Sequence, residues 1–155
     1  MSRLCLRFMP RSSTARHVMT AAVLLLAACG SAPPSPPEAI RQEITELRAA
    51  IGQTLGDPVR EREAVAAADR LRDAALAFNA RVTRFRTELR AMNARPDTQE
   101  AALRDLFSRF DADRNRLRSD ILDAHFALVQ ASTAEDWVYL SKAEHKVLQA
   151  ALRTE

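Results

Sequence analysis

The fold is decided by two stretches of equal length. The first reads AVAAADRLRDAALAFNARVTRFRTELRAM (residues 64–92), and the second reads LRDLFSRFDADRNRLRSDILDAHFALVQA (residues 103–131). In each, one series of positions recurs at alternating steps of four and three residues, which is typical of helices that pack along a heptad seam. Arg114 is the polar member of the second series. The two series are Ala64, Ala68, Leu71, Ala75, Phe78, Val82, Phe85, Leu89 and Met92, and Leu103, Phe107, Phe110, Arg114, Leu117, Ile121, Ala124, Leu128 and Ala131.

A segment that stops a helix separates the two stretches. Residues 93–97 contain Asn93 and Pro96, and Asp97 with Glu100 three positions later has the pattern of a capping box. Folding the chain back at this segment pairs Phe85 with Phe110 in one antiparallel register. The sequence therefore predicts an all-α fold built on a long antiparallel two-helix hairpin, with helices at about residues 58–93 and 98–131.

Shorter amphipathic helices are predicted on both sides of the hairpin, at about residues 38–55 and 134–152. Asp57 is expected to cap the first hairpin helix, and Thr133 with Asp136 the last helix. A second apolar stripe lies off the seam of the second hairpin helix, far from the turn, so we expect the short helices to pack at that end. The stripe consists of Leu122, Phe126 and Val129, and the short helices present Ile40, Ile44, Leu47 and Ile51, and Trp137, Leu140, Val147, Leu148 and Ala151.

The N-terminal region carries an export signal. Four arginines precede an apolar run at residues 18–28, which is too short to span a bilayer as a helix. The run ends in Leu26-Ala27-Ala28-Cys29, which resembles the lipobox of bacterial lipoproteins. That resemblance implies cleavage after Ala28, acylation of Cys29 and a membrane anchor facing the periplasm. An ordinary secretory signal is the alternative.

The residue after the cysteine, Gly30, points to the outer membrane under the sorting rule of enterobacterial lipoproteins. The predicted organisation is a lipoprotein signal peptide at residues 1–28, a lipidated cysteine with a proline-rich tether at residues 29–37, and a single helical domain at residues 38–155. We expect this domain to lie in the bacterial cell envelope, close to the membrane that holds the lipid.

Charge and cysteine content narrow the function classes. After removal of the signal peptide the chain has 19 arginines and lysines against 20 carboxylates, so the basic character of the precursor does not indicate nucleic-acid binding. Acylation of Cys29 would leave no thiol for catalysis, a disulfide or a metal. The chain has no Gly-rich phosphate loop, nucleophile elbow or metalloprotease motif. We therefore expect a binding protein without a cofactor, and not an enzyme.

The half of the hairpin near its turn is the candidate binding surface. Residues 81–118 hold ten arginines against six carboxylates, and two helices alone would leave the seam aromatics half covered. This surface could bind non-native polypeptide, dock on one envelope protein or pair with a second copy of the chain; a merely solvated charged face is the alternative. Arg114 is predicted at a seam position opposite Val82. There it could turn outwards and pair with Asp111 or another carboxylate, or it could fix the register or line a polar contact in a dimer. The polypeptide-binding candidates are Arg81, Phe85, Arg86, Leu89, Phe107, Phe110 and Arg114.

The two histidines of the mature chain, His125 and His145, are the candidate metal ligands, with Asp123 or Glu144 as possible partners. Neither has a histidine or carboxylate at the helical spacing of a metal site. We therefore predict no metal centre and keep these two residues as weak candidates.

The helix order resembles that of the Spy/CpxP-type periplasmic chaperones and the related CnrX-type metal sensors. Ser132-Thr133-Ala134-Glu135-Asp136 keeps the threonine of their LTxxQ motif, and Ile44-Thr45-Glu46-Leu47-Arg48 is a weaker counterpart of the first such motif. The resemblance covers roughly residues 38–152 and implies an all-α hairpin, dimer formation and chaperone-like polypeptide binding. The histidine-rich ligand sets of the sensors have no counterpart here. A sensor of envelope stress or metal, or a structural component of an envelope complex, is the alternative function.

Overall fold

A computed structural model describes residues 33–153 of the chain, and it confirms the all-α prediction for that part. Four helices follow one another: α1 (Pro36–Thr54), α2 (Pro58–Asn93), α3 (Glu100–Gln130) and α4 (Ala134–Leu152). The predicted signal peptide, the lipobox and Cys29 lie outside the described residues, so their assignment stays a prediction. None of the four described helices is long and apolar enough to cross a membrane.

Local capping chemistry sets most of the helix ends. α1 begins at Pro36, two residues before the predicted start, because Ser35 forms a capping box with Glu38 and proline is compatible with a first helical turn. The Asp57 carboxylate accepts a hydrogen bond from the Val59 amide, as predicted, at 2.9 Å.

The capping box of α4 is confirmed. The Thr133 hydroxyl accepts from the Asp136 amide at 3.2 Å, and the Asp136 carboxylate accepts from the Thr133 amide at 2.9 Å. The predicted capping box at residues 97–100 is wrong. Thr98 donates its hydroxyl hydrogen to the Met92 carbonyl at 2.5 Å, which closes the end of α2, and α3 begins at Glu100 with Gln99 as an N-cap that makes no side-chain hydrogen bond.

The hairpin of α2 and α3 has the predicted register. The rings of Phe85 and Phe110 stack with their centroids 4.2 Å apart. Arg81 forms an ion pair with Asp113 across the same seam. The second apolar series is displaced near the turn, however, because Leu106 is buried whereas Phe107 is 48% exposed.

The displacement has an electrostatic reason. Asp113, and not Arg114, is the half-buried residue between Phe110 and Leu117, since its carboxylate pairs with Arg81 of α2. Arg114 is exposed and pairs with Asp111 of its own helix, with Nη2 3.3 Å from Oδ1. The predicted seam position of Arg114 opposite Val82 is therefore wrong, and the expectation that it turns outwards to Asp111 is confirmed.

The main hydrophobic core lies at the end of the hairpin away from the turn, where α1 and α4 pack as predicted. It combines residues of all four helices: Ala39, Ile40, Ile44, Leu47, Ile51 and Leu55; Ala64, Ala67, Ala68, Leu71 and Ala75; Ala124, Leu128 and Ala131; and Leu140, Val147, Ala150 and Ala151. Arg60 closes this end, since Nε donates to the Ala131 carbonyl at 2.8 Å and Nη2 lies 2.6 Å from Asp136 Oδ2.

No residue of this core lies between positions 81 and 118. We call these residues of the hairpin the stalk. Over this length the buried residues are Leu106 and Leu117 of α3, and among the described residues only the start of α1 and the end of α4 come near the stalk, at grooves on its surface. The stalk is thus a two-helix extension of a four-helix core.

Candidate functional site: surfaces of the hairpin

Three phenylalanines form an aromatic cluster in the stalk. Phe85 of α2 stacks on Phe110 and meets the edge of Phe107 at a centroid distance of 5.3 Å. Phe107 is 48% exposed, so one face of the cluster is open to solvent. Because contact with Phe85 already restricts the Phe107 ring, binding a ligand there would cost little additional side-chain entropy.

A charged cleft of about 130 Å³ lies beside the aromatic cluster. Its charges are largely paired, because Arg81 faces Asp113 and Arg109 Nη2 lies 3.8 Å from Glu88 Oε2. Arg84 lines the cleft without an ion pair to any described residue. The cleft therefore offers, beside a partly exposed aromatic surface, a guanidinium that no described carboxylate neutralises.

The seven predicted polypeptide-binding residues do not form one surface. Arg81, Phe85, Phe107 and Phe110 lie together at the aromatic cluster and its cleft, and Leu89 is half buried in the hairpin. The other two lie elsewhere. Arg86 lines a groove formed by a different set of α2 residues, and Arg114 lines an apolar pocket of about 180 Å³ with Phe78, Arg118, Ile121, Leu122 and Leu152.

The predicted second stripe of α3 is not covered by the short helices. Leu122 is 42% exposed and Phe126 is 56% exposed. Helices α1 and α4 pack mainly against each other and against α2, and this leaves the outer side of α3 open. Phe107, Arg114, Arg118, Leu122 and Phe126 follow one another at helical spacing, so exposed apolar side chains and arginines share that side of α3.

A second groove, of about 730 Å³, opens where α1 begins. Four arginines line it: Arg41 of α1, Arg86 and Arg90 of α2, and Arg153 just after α4. No aspartate or glutamate is among the described residues that line it. We call this the arginine groove. Sequence reasoning missed it, because its four cations come from three separate segments and only the fold brings them together.

The candidate metal ligands are apart from each other. His125 of α3 holds the buried Glu144 of α4, with Nδ1 2.9 Å and 3.1 Å from the two carboxyl oxygens. His145 is exposed, and its Nε2 contacts the side chain of Gln149. No group of three or more possible ligands occurs within residues 33–153. Glu144 is thus a structural partner of His125, a role that its position next to His145 in the sequence did not reveal.

Within residues 33–153, three side chains have shifted pKa values, and each shift comes from a local contact. The Ser35 hydroxyl and amide lower the pKa of Glu38, and the Thr133 amide and hydroxyl together with Arg60 lower the pKa of Asp136. The Glu46 carboxylate, 3.1 Å from Lys146 Nζ, raises the pKa of Lys146. These groups hold the core and the helix ends together, and none of them lies in the stalk.

Comparison of the chain with known protein families, curated proteins and solved structures finds no match.

Proposed function

We propose that the chain is a lipid-anchored module of the bacterial envelope that binds non-native polypeptide on the stalk. In this proposal acylated Cys29 holds the protein at the periplasmic side of the outer membrane, and binding requires no cofactor or nucleotide. The likeness of the helix order to Spy/CpxP-type chaperones supports this function.

The observation that carries the proposal is the incomplete cover of the stalk. No described residue of α1 or α4 lines the cleft beside the aromatic cluster, Phe107 remains 48% exposed, and Arg84 of that cleft has no ion pair with a described residue. Unfolded chains offer exposed apolar side chains and backbone carbonyls, which an aromatic surface and a guanidinium can each contact. Leu122 and Phe126 are also exposed on α3, and they would extend the surface that contacts a bound polypeptide.

A chain of residues 30–155 suits the test because it retains the whole main core, which lies between Ala39 and Ala151. We expect it to bind reduced, unfolded α-lactalbumin and to delay its aggregation. Phe107→Ser should raise the Kd about fivefold, which corresponds to the loss of ~1 kcal/mol of apolar contact. Tyr139→Ser is the matched control, because Tyr139 is a 66% exposed aromatic residue of α4 outside the stalk.

Fluorescence anisotropy of the labelled test protein measures the Kd, and light scattering follows the aggregation. An equal effect of Phe107→Ser and Tyr139→Ser would contradict binding at the aromatic cluster. Recovery of a single dominant envelope protein with the acylated chain would favour the alternative of a structural or sensor subunit. A dimer in solution that buries Phe107 would assign the surface to a second copy.

Acylation is tested independently of polypeptide binding. The mass of the chain purified from membranes should show cleavage before Cys29 and more than one added acyl chain, since a single chain gives only marginal anchoring. Cys29→Ala should abolish the modification. A mass that corresponds to cleavage without acyl groups would make the protein an ordinary secreted one.

A further inference from the structure

The arginine groove concentrates positive charge on a wall that includes no described carboxylate. Arg90 and Arg153 have no ion pair with the described residues, unlike Arg81, Arg109 and Arg114 elsewhere on the hairpin. Arg41 lies near Glu38, whose carboxylate is hydrogen-bonded to Ser35. A planar guanidinium matches the geometry of a phosphate group with two parallel hydrogen bonds. The chemistry of the groove thus fits a phosphate-bearing anion.

The place of the groove in the chain identifies the source of that anion. Ser35, Pro36 and Pro37 line it, and these are the residues through which the chain from Cys29 enters the folded domain. Cys29 precedes Ser35 by six residues, so even a fully extended chain keeps the two within about 20 Å. If Cys29 is acylated, the edge of the groove at Ser35 therefore stays within about this distance of the acylated residue.

Because the tether keeps the groove close to the membrane, even a weak affinity for the headgroups is sufficient for binding. A tether this short holds the groove at an effective headgroup concentration far above that of any free ligand. Each basic side chain near an anionic bilayer contributes about 1 kcal/mol, and the attraction acts within about a Debye length of the surface. Arg41, Arg90 and Arg153 together could therefore orient the whole domain.

We propose that the arginine groove binds the phosphate headgroups of anionic phospholipids in the membrane that holds Cys29. The acyl chains then anchor the protein, and the groove fixes its orientation against the bilayer. This inference rests on the acylation of Cys29, one part of the proposed function, and it is independent of polypeptide binding by the stalk.

The test uses the full acylated protein in vesicles. Acylation leaves the mature chain without a free thiol, so one added cysteine accepts a single fluorophore. Ala91→Cys places it on the exposed surface just beyond the groove. Gly56→Cys places it at the far end of the core, where nothing lies within 4 Å of an added Cβ atom. Energy transfer to an acceptor on the lipid headgroups then reports the distance of each end from the membrane.

In vesicles of phosphatidylcholine with one-third phosphatidylglycerol, transfer from position 91 should rise at least about twofold over pure phosphatidylcholine, because the tether permits movements of ~20 Å. Transfer from position 56 should not rise. The increase should disappear as the salt concentration approaches ~0.5 M. The triple variant R41Q/R90Q/R153Q should lose it, and the control R62Q/R70Q/R116Q, which removes the same charge outside the groove, should keep it.

Circular dichroism establishes that both triple variants are folded, and the mass of the same preparations establishes acylation. No increase with phosphatidylglycerol in a folded, acylated protein would overturn the proposal, and so would an equal loss in both variants. A third arm adds inorganic phosphate to pure phosphatidylcholine vesicles. Thermal melting followed by circular dichroism compares this sample with the vesicles that contain phosphatidylglycerol, where lipid binding should raise the melting temperature. An equal rise with inorganic phosphate would assign the groove to free phosphate and overturn the lipid proposal.

Discussion

Removal of the His125 imidazole should destabilise the fold more than removal of its partner, Glu144. The Glu144 side chain is 5% exposed, and both hydrogen bonds of its carboxyl group with the described residues go to His125 Nδ1. His125→Ala leaves that buried group without a partner. Glu144→Leu leaves an imidazole that is 33% exposed and can bond to water instead.

The magnitude follows from the burial of the pair. Leaving one member of a fully buried pair alone costs about 3–5 kcal/mol, and a hydrogen bond to a charged group contributes about 1.5–3 kcal/mol. Because water can reach the site through the exposed third of His125, we expect His125→Ala to lower the free energy of unfolding by about 2 kcal/mol. For a domain of this size that is a fall of roughly 8 °C in Tm. Glu144→Leu should cost less than about 1 kcal/mol.

A double-mutant cycle in urea separates this pair from simple packing, because His125 also meets the rings of Phe126 and Trp137. Trp137, the single tryptophan, lies 5.4 Å from the imidazole and reports unfolding by fluorescence. With Glu144→Leu already present, His125→Ala should cost no more than about 1 kcal/mol, the ring contacts alone. Equal costs in both backgrounds, with a coupling below about 0.5 kcal/mol, would refute the reasoning.

Three further predictions concern the ends of the core and the stalk. Thr133 and Arg60 lower the pKa of Asp136 in the folded state. The ionised carboxylate therefore stabilises the fold fully above its unfolded pKa of about 4, and this stabilisation is lost as the pH falls through the lower folded pKa. In Asp136→Asn, the free energy of unfolding measured in urea should fall less between pH 5 and pH 2 than it does in the unmodified chain. Arg60→Ala should lower the free energy of unfolding by about 1–2 kcal/mol and the exposed control Arg62→Ala by less than about 0.5 kcal/mol, in the same urea assay. Amide hydrogens of residues 81–118 should exchange faster than those of the core by mass spectrometry, and equal protection would show that the stalk does not open separately.

The features that the sequence predicted correctly depend on local or strictly periodic signals. The pairing of Phe85 with Phe110 follows from two matched heptad series that meet at a single turn. The caps at Asp57 and Thr133 follow from side chains that reach backbone amides two or three residues away. Such signals depend little on the rest of the fold.

The errors arise where a contact distant in the chain decides between neighbouring positions. A heptad count places Arg114 in the seam, but the ion pair from Arg81 selects Asp113 and turns Arg114 and Phe107 outwards. The burial of Glu144 depends on a histidine from another helix. Neither choice is visible in the residues on either side.

The exposed surfaces of this protein depend on helix length more than on composition. The apolar seam continues along all of α2, which has 36 residues and is roughly 54 Å long, whereas α1 has 19 residues and is roughly 28 Å long. α1 stops at Pro36 because the capping box of Ser35 and Glu38 closes its first turn, and Pro36 lies with Asn79 of α2 at the edge of the arginine groove.

The stop at Pro36 has three consequences that share one cause. Among the described helices, it leaves none besides α2 and α3 at the aromatic cluster of the stalk; it also opens the arginine groove beside α2, and it starts the chain towards Cys29 at that same edge. The surface proposed to bind polypeptide and the groove proposed to face the membrane therefore need no separate origin in the fold. Both follow from ending α1 halfway along the hairpin, where an uninterrupted helix would have covered the groove and part of the apolar surface of α2.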